Sequence, residues 1–204
     1  MDLLDKYKKT WENQPEEGNK FSSVDIYKMA KSKSSSIVKW IFIIGILEFV
    51  ILNSMYFFLD MEEAYLEYEK IGLMNFVYYS QVLAYIILFY FLVMFYKNYK
   101  SISTIDSTKK LMKKILKTRK TVRNYVIFNL GYMALMMIIV MVAEINFKFE
   151  DLETKQIFLI ILLTLVITLV ILGVLWLFYQ LLYGILLKKL NRNYKELAKL
   201  DEPN

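Results

Sequence analysis

Four apolar blocks, at residues 37–59, 72–96, 125–143 and 157–187, decide what this chain can fold into. They are 23, 25, 19 and 31 residues long. A helix needs about 20 apolar residues to cross a hydrocarbon core of about 30 Å, so each block is long enough to span. A helix also satisfies its own backbone hydrogen bonds in lipid, which a loop or an open sheet cannot do. The blocks hold 98 of the 204 residues and lift the hydrophobic share to 57%, above the roughly 45–50% of a soluble domain. A soluble globular domain is excluded. The expected fold is an all-α membrane protein: four transmembrane helices with short amphipathic cytoplasmic helices.

Charge supplies the orientation. Residues 1–36 together with Lys39 carry eight lysines, the stretch between the second and third blocks carries ten basic residues, and the C-terminal segment 188–204 carries five. The two intervening loops hold only Lys70, Lys148 and Lys155. Because basic loops stay on the cytoplasmic side, both termini are expected in the cytoplasm, and an even number of spans agrees. Acids run the other way: Asp60, Glu62, Glu63, Glu67 and Glu69 in one outer loop, Glu150, Asp151 and Glu153 in the other. The net charge of +6 is therefore one-sided. Such basic flanks reflect topology and contact with anionic membrane lipids, and nucleic acid is not an expected partner. The first block follows a charged tail and is too long for a cleaved signal core, so it is expected to act as its own insertion signal.

Missing residue types narrow the chemistry. The chain has no cysteine and no histidine, which removes disulfides, thiolate nucleophiles, iron–sulfur ligands, the commonest general base and the commonest transition-metal ligand. There is no Gly-rich phosphate loop and no Gly-x-Ser-x-Gly elbow. No catalytic residue, metal ligand or cofactor site is assigned.

Between the spans, helical spacing recurs. Leu3, Leu4, Tyr7 and Trp11 share one face of a short helix. Pro15, Gly18 and Asn19 mark a break. Ser22-x-x-Asp25 resembles a capping box opening a second helix, and Ser32–Ser36 is either a hinge or the helical entrance to the first span. Asp106 is an expected N-cap for a basic helix over 106–123, whose Leu111, Met112, Ile115 and Leu116 recur at three and four among lysines. The fourth block would extend about 46 Å at 1.5 Å per residue. Trp176, Tyr179 and Tyr183 read as its inner aromatic belt, beyond which Leu190, Tyr194 and Leu197 continue an apolar stripe. Something must cover that stripe. The N-terminal segment and the basic helix are the available covers, giving a compact cytoplasmic layer; a homodimer or another membrane subunit is the alternative.

Polar residues inside spans are functional hypotheses by default. Glu48 is twelfth of 23 in the first span, near mid-bilayer. Either it moves ions or protons, or it is neutral and bonded across a helix interface, with Tyr132, Thr164 and Thr168 at comparable depth. Asn53, Gln81, Asn129 and Gln180 are expected at scattered depths rather than in one plane. Gly45, Gly131, Gly173 and Gly184 are expected to let helices approach closely.

Lys33, Ser34–Ser36, Ile37, Val38, Lys39, Trp40, Ile41 and Phe42, then Glu48-Phe49, with Lys8-x-x-Trp11-Glu12 and Asp25-Ile26-Tyr27-Lys28, form a locally distinctive set. Through residues 1–60 the chain resembles small four-span inner-membrane proteins of Bacteroidota, especially of flavobacteria. Members of that group often carry the label beta-carotene monooxygenase. Propeller-type carotenoid oxygenases bind iron through histidines, which this chain lacks, so the label does not suit it. The resemblance implies a bacterial inner membrane.

The leading expectation is a non-enzymatic inner-membrane subunit or regulator that docks a protein partner through the stripes at Leu3–Trp11, Leu111–Leu116 and Leu187–Leu200. The alternative is a small channel or proton-coupled permease built on Glu48. A weaker third is a lipid-modifying enzyme using Tyr or carboxylate groups.

Overall fold

The computed structural model describes residues 22–54, 58, 60–148 and 152–201. Its elements are α1 (Ser23–Ser54), α2 (Glu62–Lys70), α3 (Met74–Ser103), α4 (Thr108–Phe147), α5 (Thr154–Tyr179), a π-helical segment (Gln180–Gly184) and α6 (Ile185–Asp201). Four helical rods are long and apolar enough to cross a membrane: α1, α3, α4 and the continuous run from Thr154 to Leu200. The chain is an all-α, multi-pass membrane protein.

The short amphipathic helices expected beside the spans are extensions of the spans themselves. The helix opened at Ser22 runs without a break through Ser32–Ser36 into the first span as α1, so the serines form an entrance and not a hinge. The basic helix likewise continues into the third span as the 40-residue α4. Lysine and serine are tolerable helix formers, and no proline interrupts either join. The Ser22–Asp25 capping box forms: the Asp25 amide donates to Ser22 Oγ at 3.1 Å, and the Ser22 hydroxyl and amide donate to Asp25 Oδ2. Asp106 does not cap α4. That place falls to Ser107, and Asp106 accepts instead from Lys31 Nζ of α1 at 3.0 Å. The first acidic loop folds into the nine-residue helix α2. There Lys70 donates to Glu67 at 2.7 Å and holds its exposed carboxyl below the usual range.

Each rod turns one face inward. On α1 that face is Ala30, Ser34, Val38, Ile41, Gly45 and Glu48, at steps of three and four. Phe91, Phe95, Asn98 and Ile102 of α3 and Leu111, Ile115, Thr118, Val122 and Tyr125 of α4 keep the same rhythm, the spacing of long helices packed nearly side by side. The rods pack in the order α1, α3, α4, α5. At the end carrying the described chain termini, the basic end, α6 swings in against α1 and α4. At Gly45 α1 packs closely on α3: a Cβ there would lie 3.1 Å from the Phe95 ring. Gly131 and Gly173 have no such neighbour within 4 Å, and Gly184 faces only the side chain of Gln180 in its own rod. The close-approach role therefore holds for Gly45 alone.

Candidate functional site

Polar side chains tie the rods together at successive levels. At the basic end the Asn193 amide of α6 donates to Ser34 Oγ of α1 at 3.0 Å, and Asn98 of α3 donates to Thr121 of α4 at 3.2 Å. All four residues lie just beyond the apolar blocks, so these links fix the register of rods that water drives together there. Among the described residues no buried side-chain N or O atom lacks a partner.

Glu48 of α1 makes the next link, further along the rod toward the loop end. It is buried, and both of its oxygens accept hydrogen bonds: Oε1 from the Tyr179 hydroxyl at 2.7 Å, Oε2 from the Tyr183 hydroxyl at 2.9 Å. The Tyr125 hydroxyl faces the same carboxyl. The three tyrosine rings pack with centroids 5.9–6.1 Å apart, and Phe91 and Phe95 lie edge-on to Tyr125 at 5.5 and 5.4 Å. The expected partners Tyr132, Thr164 and Thr168 do not reach Glu48. Toward the loop end α5 follows α4 and not α1, which holds both threonines away from Glu48, while Tyr132 lies beside Ser80 of α3 at 3.4 Å.

Reading Tyr179 and Tyr183 as a boundary belt missed this role. They are four apart and so lie on one helix face, and that face turns inward. The five-residue π segment immediately after Tyr179 contains Tyr183 itself. π segments are rare and often mark functional positions.

Toward the loop end the bundle opens into a cavity of about 510 Å³ between α1, α3 and α4, with Tyr65 and Tyr68 of α2 in its wall. Asn53, Gln81 and Asn129 all line it, so three of the four amides expected to be scattered converge. Tyr85 links two of them, donating to Asn53 Oδ1 at 2.8 Å and accepting from Gln81 Nε2 at 3.3 Å. Asn129 donates to the Tyr125 carbonyl one turn back, at 2.9 Å. Phe49, Leu88, Phe128 and Met136 supply apolar wall, and Tyr125 and Gly45 lie at the Glu48 level. Gln180 is the exception. It is exposed, lies over Gly184 in the π segment, and faces a separate groove between α4 and the last rod.

The stripes expected to dock a partner are largely internal. Leu111, Ile115, Leu190 and Leu197 are fully buried in one cluster with Ala30, Val38 and Ile102, and Met112 and Tyr194 pack against it. Of the residues assigned to docking on those two stripes, only Leu116 is exposed, at 44%. The basic ends of α1, α4 and α6 emerge side by side, so their stripes find each other first; the compact layer forms and leaves little for a partner. Leu3, Leu4, Tyr7 and Trp11 lie outside the described residues.

A family model described as a domain of unknown function, DUF8845, matches residues 24–202. The chain belongs to the DUF8845 family. The matched stretch contains every described helix but for the first residue of α1, Glu48 with its three tyrosines, and the cavity, while residues 1–23 and 203–204 fall outside it. No curated protein and no solved structure matches the chain.

Proposed function

We propose that this DUF8845 protein is a non-enzymatic multi-pass protein of a bacterial inner membrane whose working site is the cavity above Glu48, and that it binds a small amphipathic molecule there. The observation that carries this reading is the convergence of Asn53, Gln81, Tyr85 and Asn129 inside an aromatic and methionine wall. A largely apolar pocket with a few oriented polar groups is the general form of a small-ligand site. The charge asymmetry of the loops supports an orientation with both termini in the cytoplasm and the cavity mouth outside. The absence of native cysteine makes this directly testable: in intact cells an impermeant maleimide should label Glu63→Cys and spare Ser107→Cys.

Binding is tested with a photoreactive medium-chain alcohol on the full chain in nanodiscs. Adducts are expected on peptides around 45–53, 81–92 and 128–136, and Tyr85→Phe combined with Asn129→Leu should reduce them. Adducts confined to the lipid face of α5 would refute the cavity as the site.

One observation favours a second reading, a proton-coupled permease. Tyr125 lines the cavity, while Tyr179 and Tyr183 line the groove on the opposite side, so the Glu48 cluster is the partition between two recesses. In proteoliposomes this reading requires proton flux that falls at least tenfold in Glu48→Gln; unchanged flux discards it. Docking of a second copy or another subunit, if retained as the protein's task, passes to residues 1–21 and the outer faces of the spans.

A further inference from the structure

The groove on the other side of the bundle, about 610 Å³ between α4 and the last rod, divides into two chemical zones. At its basic end stand Arg119, Lys120 and Arg123 of α4 and Lys188 of α6. Toward the membrane centre it is walled by Val126, Ile127 and Leu130 of α4 and by Trp176 of α5. No Asp or Glu lines it. None of the four cations has a carboxylate partner among the described residues; Arg119 is instead held by the neutral Asn191, donating to its Oδ1 at 2.7 Å. Four cations lining one groove, all left without an acid among the described residues in a chain that has twenty, call for an anion from outside it. The adjoining wall calls for hydrocarbon. In a membrane protein one molecule supplies both at this depth.

We infer that this groove is a binding site for an anionic phospholipid, its phosphate among Arg119, Lys120, Arg123 and Lys188 and an acyl chain along Val126, Leu130 and Trp176. Anionic headgroups are drawn to basic clusters where spans leave the membrane on the cytoplasmic side. Arg119 is oriented in advance by Asn191, which lowers the ordering cost of gripping a phosphate. The rings of Tyr179 and Tyr183 form part of the groove wall while their hydroxyls hold Glu48 on the far side. An occupied groove therefore braces the two donors of the carboxyl. The site is independent of whether the loop-end cavity takes a ligand.

The test is native mass spectrometry of the full chain released from nanodiscs holding equal phosphatidylglycerol and phosphatidylcholine. One phosphatidylglycerol should be retained per chain. The triple variant Arg119→Gln, Arg123→Gln, Lys188→Gln should lower its occupancy about 100-fold, at about a factor of five per cation. A control triple on the same end, Lys97→Gln, Lys100→Gln, Lys113→Gln, removes the same charge outside the groove and should change occupancy less than about threefold. If the first triple does not fold, Arg123→Gln alone should cost about fivefold. Equal retention of the two lipids, equal loss in the control, or no loss in the groove variants would overturn the assignment.

Discussion

The two ends of this bundle bury apolar side chains to very different degrees. At the basic end, α1, α4 and α6 close a core in which Ala30, Val38, Ile102, Leu111, Ile115, Leu190 and Leu197 are all but inaccessible. Along α5 the only buried residue is Tyr179, and leucines, isoleucines and valines lie open along most of the rod. The difference is the solvent. Where the helices leave the bilayer, apolar stripes are driven together by water; inside it, a leucine gains nothing by exchanging a lipid tail for another leucine. Exposure therefore carries opposite meanings at the two ends. The largest expected effect follows: Ile115→Ala and Leu197→Ala should each cost about 2–5 kcal/mol, whereas Leu165→Ala, at a position 54% exposed, should stay within about 0.5 kcal/mol. Thermal unfolding in mild detergent measures both. A comparable loss at Leu165 would mean that α5 packs against a protein surface.

The same contrast explains what could be read in advance. Block lengths and lysine positions depend only on the bilayer's thickness and charge barrier, so the four spans were legible at every level except their ends. The stripe Leu190, Tyr194, Leu197 announced that it needed a cover, and α1 and α4 provide it. The polar site was harder. Glu48 was conspicuous, but its partners depend on how rods cross: α5 follows α4 and not α1, so residues of similar depth stay apart, and Tyr179 at the end of α5 and Tyr183 of the π segment arrive instead. Asn53, Gln81 and Asn129 looked scattered because each lies on a different helix. Their convergence depends on rotation about each axis, which a uniformly apolar sequence barely encodes.

Glu48 marks the border between the two regimes, and its removal is the next largest effect. Glu48→Ala strands the Tyr179 and Tyr183 hydroxyls in a buried site, at about 1–3 kcal/mol for each. Glu48→Gln retains one acceptor and should cost less. A double-mutant cycle pairing Glu48→Ala with Tyr183→Phe should show a coupling of about 0.5–3 kcal/mol, since the second change removes a donor the first has already orphaned. Additive losses would mean that the two groups do not share this bond in the bilayer.

Glycines sharpen the comparison within the spans. Gly45→Ala forces a methyl group against Phe95 and Leu92, 3.1–3.2 Å away, and should cost about 1–3 kcal/mol. Gly173→Ala meets nothing within 4 Å and should be neutral or stabilise by up to about 1 kcal/mol through helix propensity. A loss at Gly173 matching that at Gly45 would reveal a close neighbour on the lipid face.

The smallest effect belongs to the ion pair that joins α1 to the turn before α4. Lys31 and Asp106 meet at 3.0 Å, yet Asp106 is 92% exposed, so water and salt screen most of their attraction. Asp106→Asn should cost about 0.2–1 kcal/mol, and raising the salt to about 1 M, where the Debye length falls to about 3 Å, should erase the difference from wild type. The core beneath this pair, not the pair, holds α1 to α4. A salt-resistant loss of several kcal/mol would instead make the pair a clamp, and would move the strongest attachment at the basic end from its apolar interior to its surface.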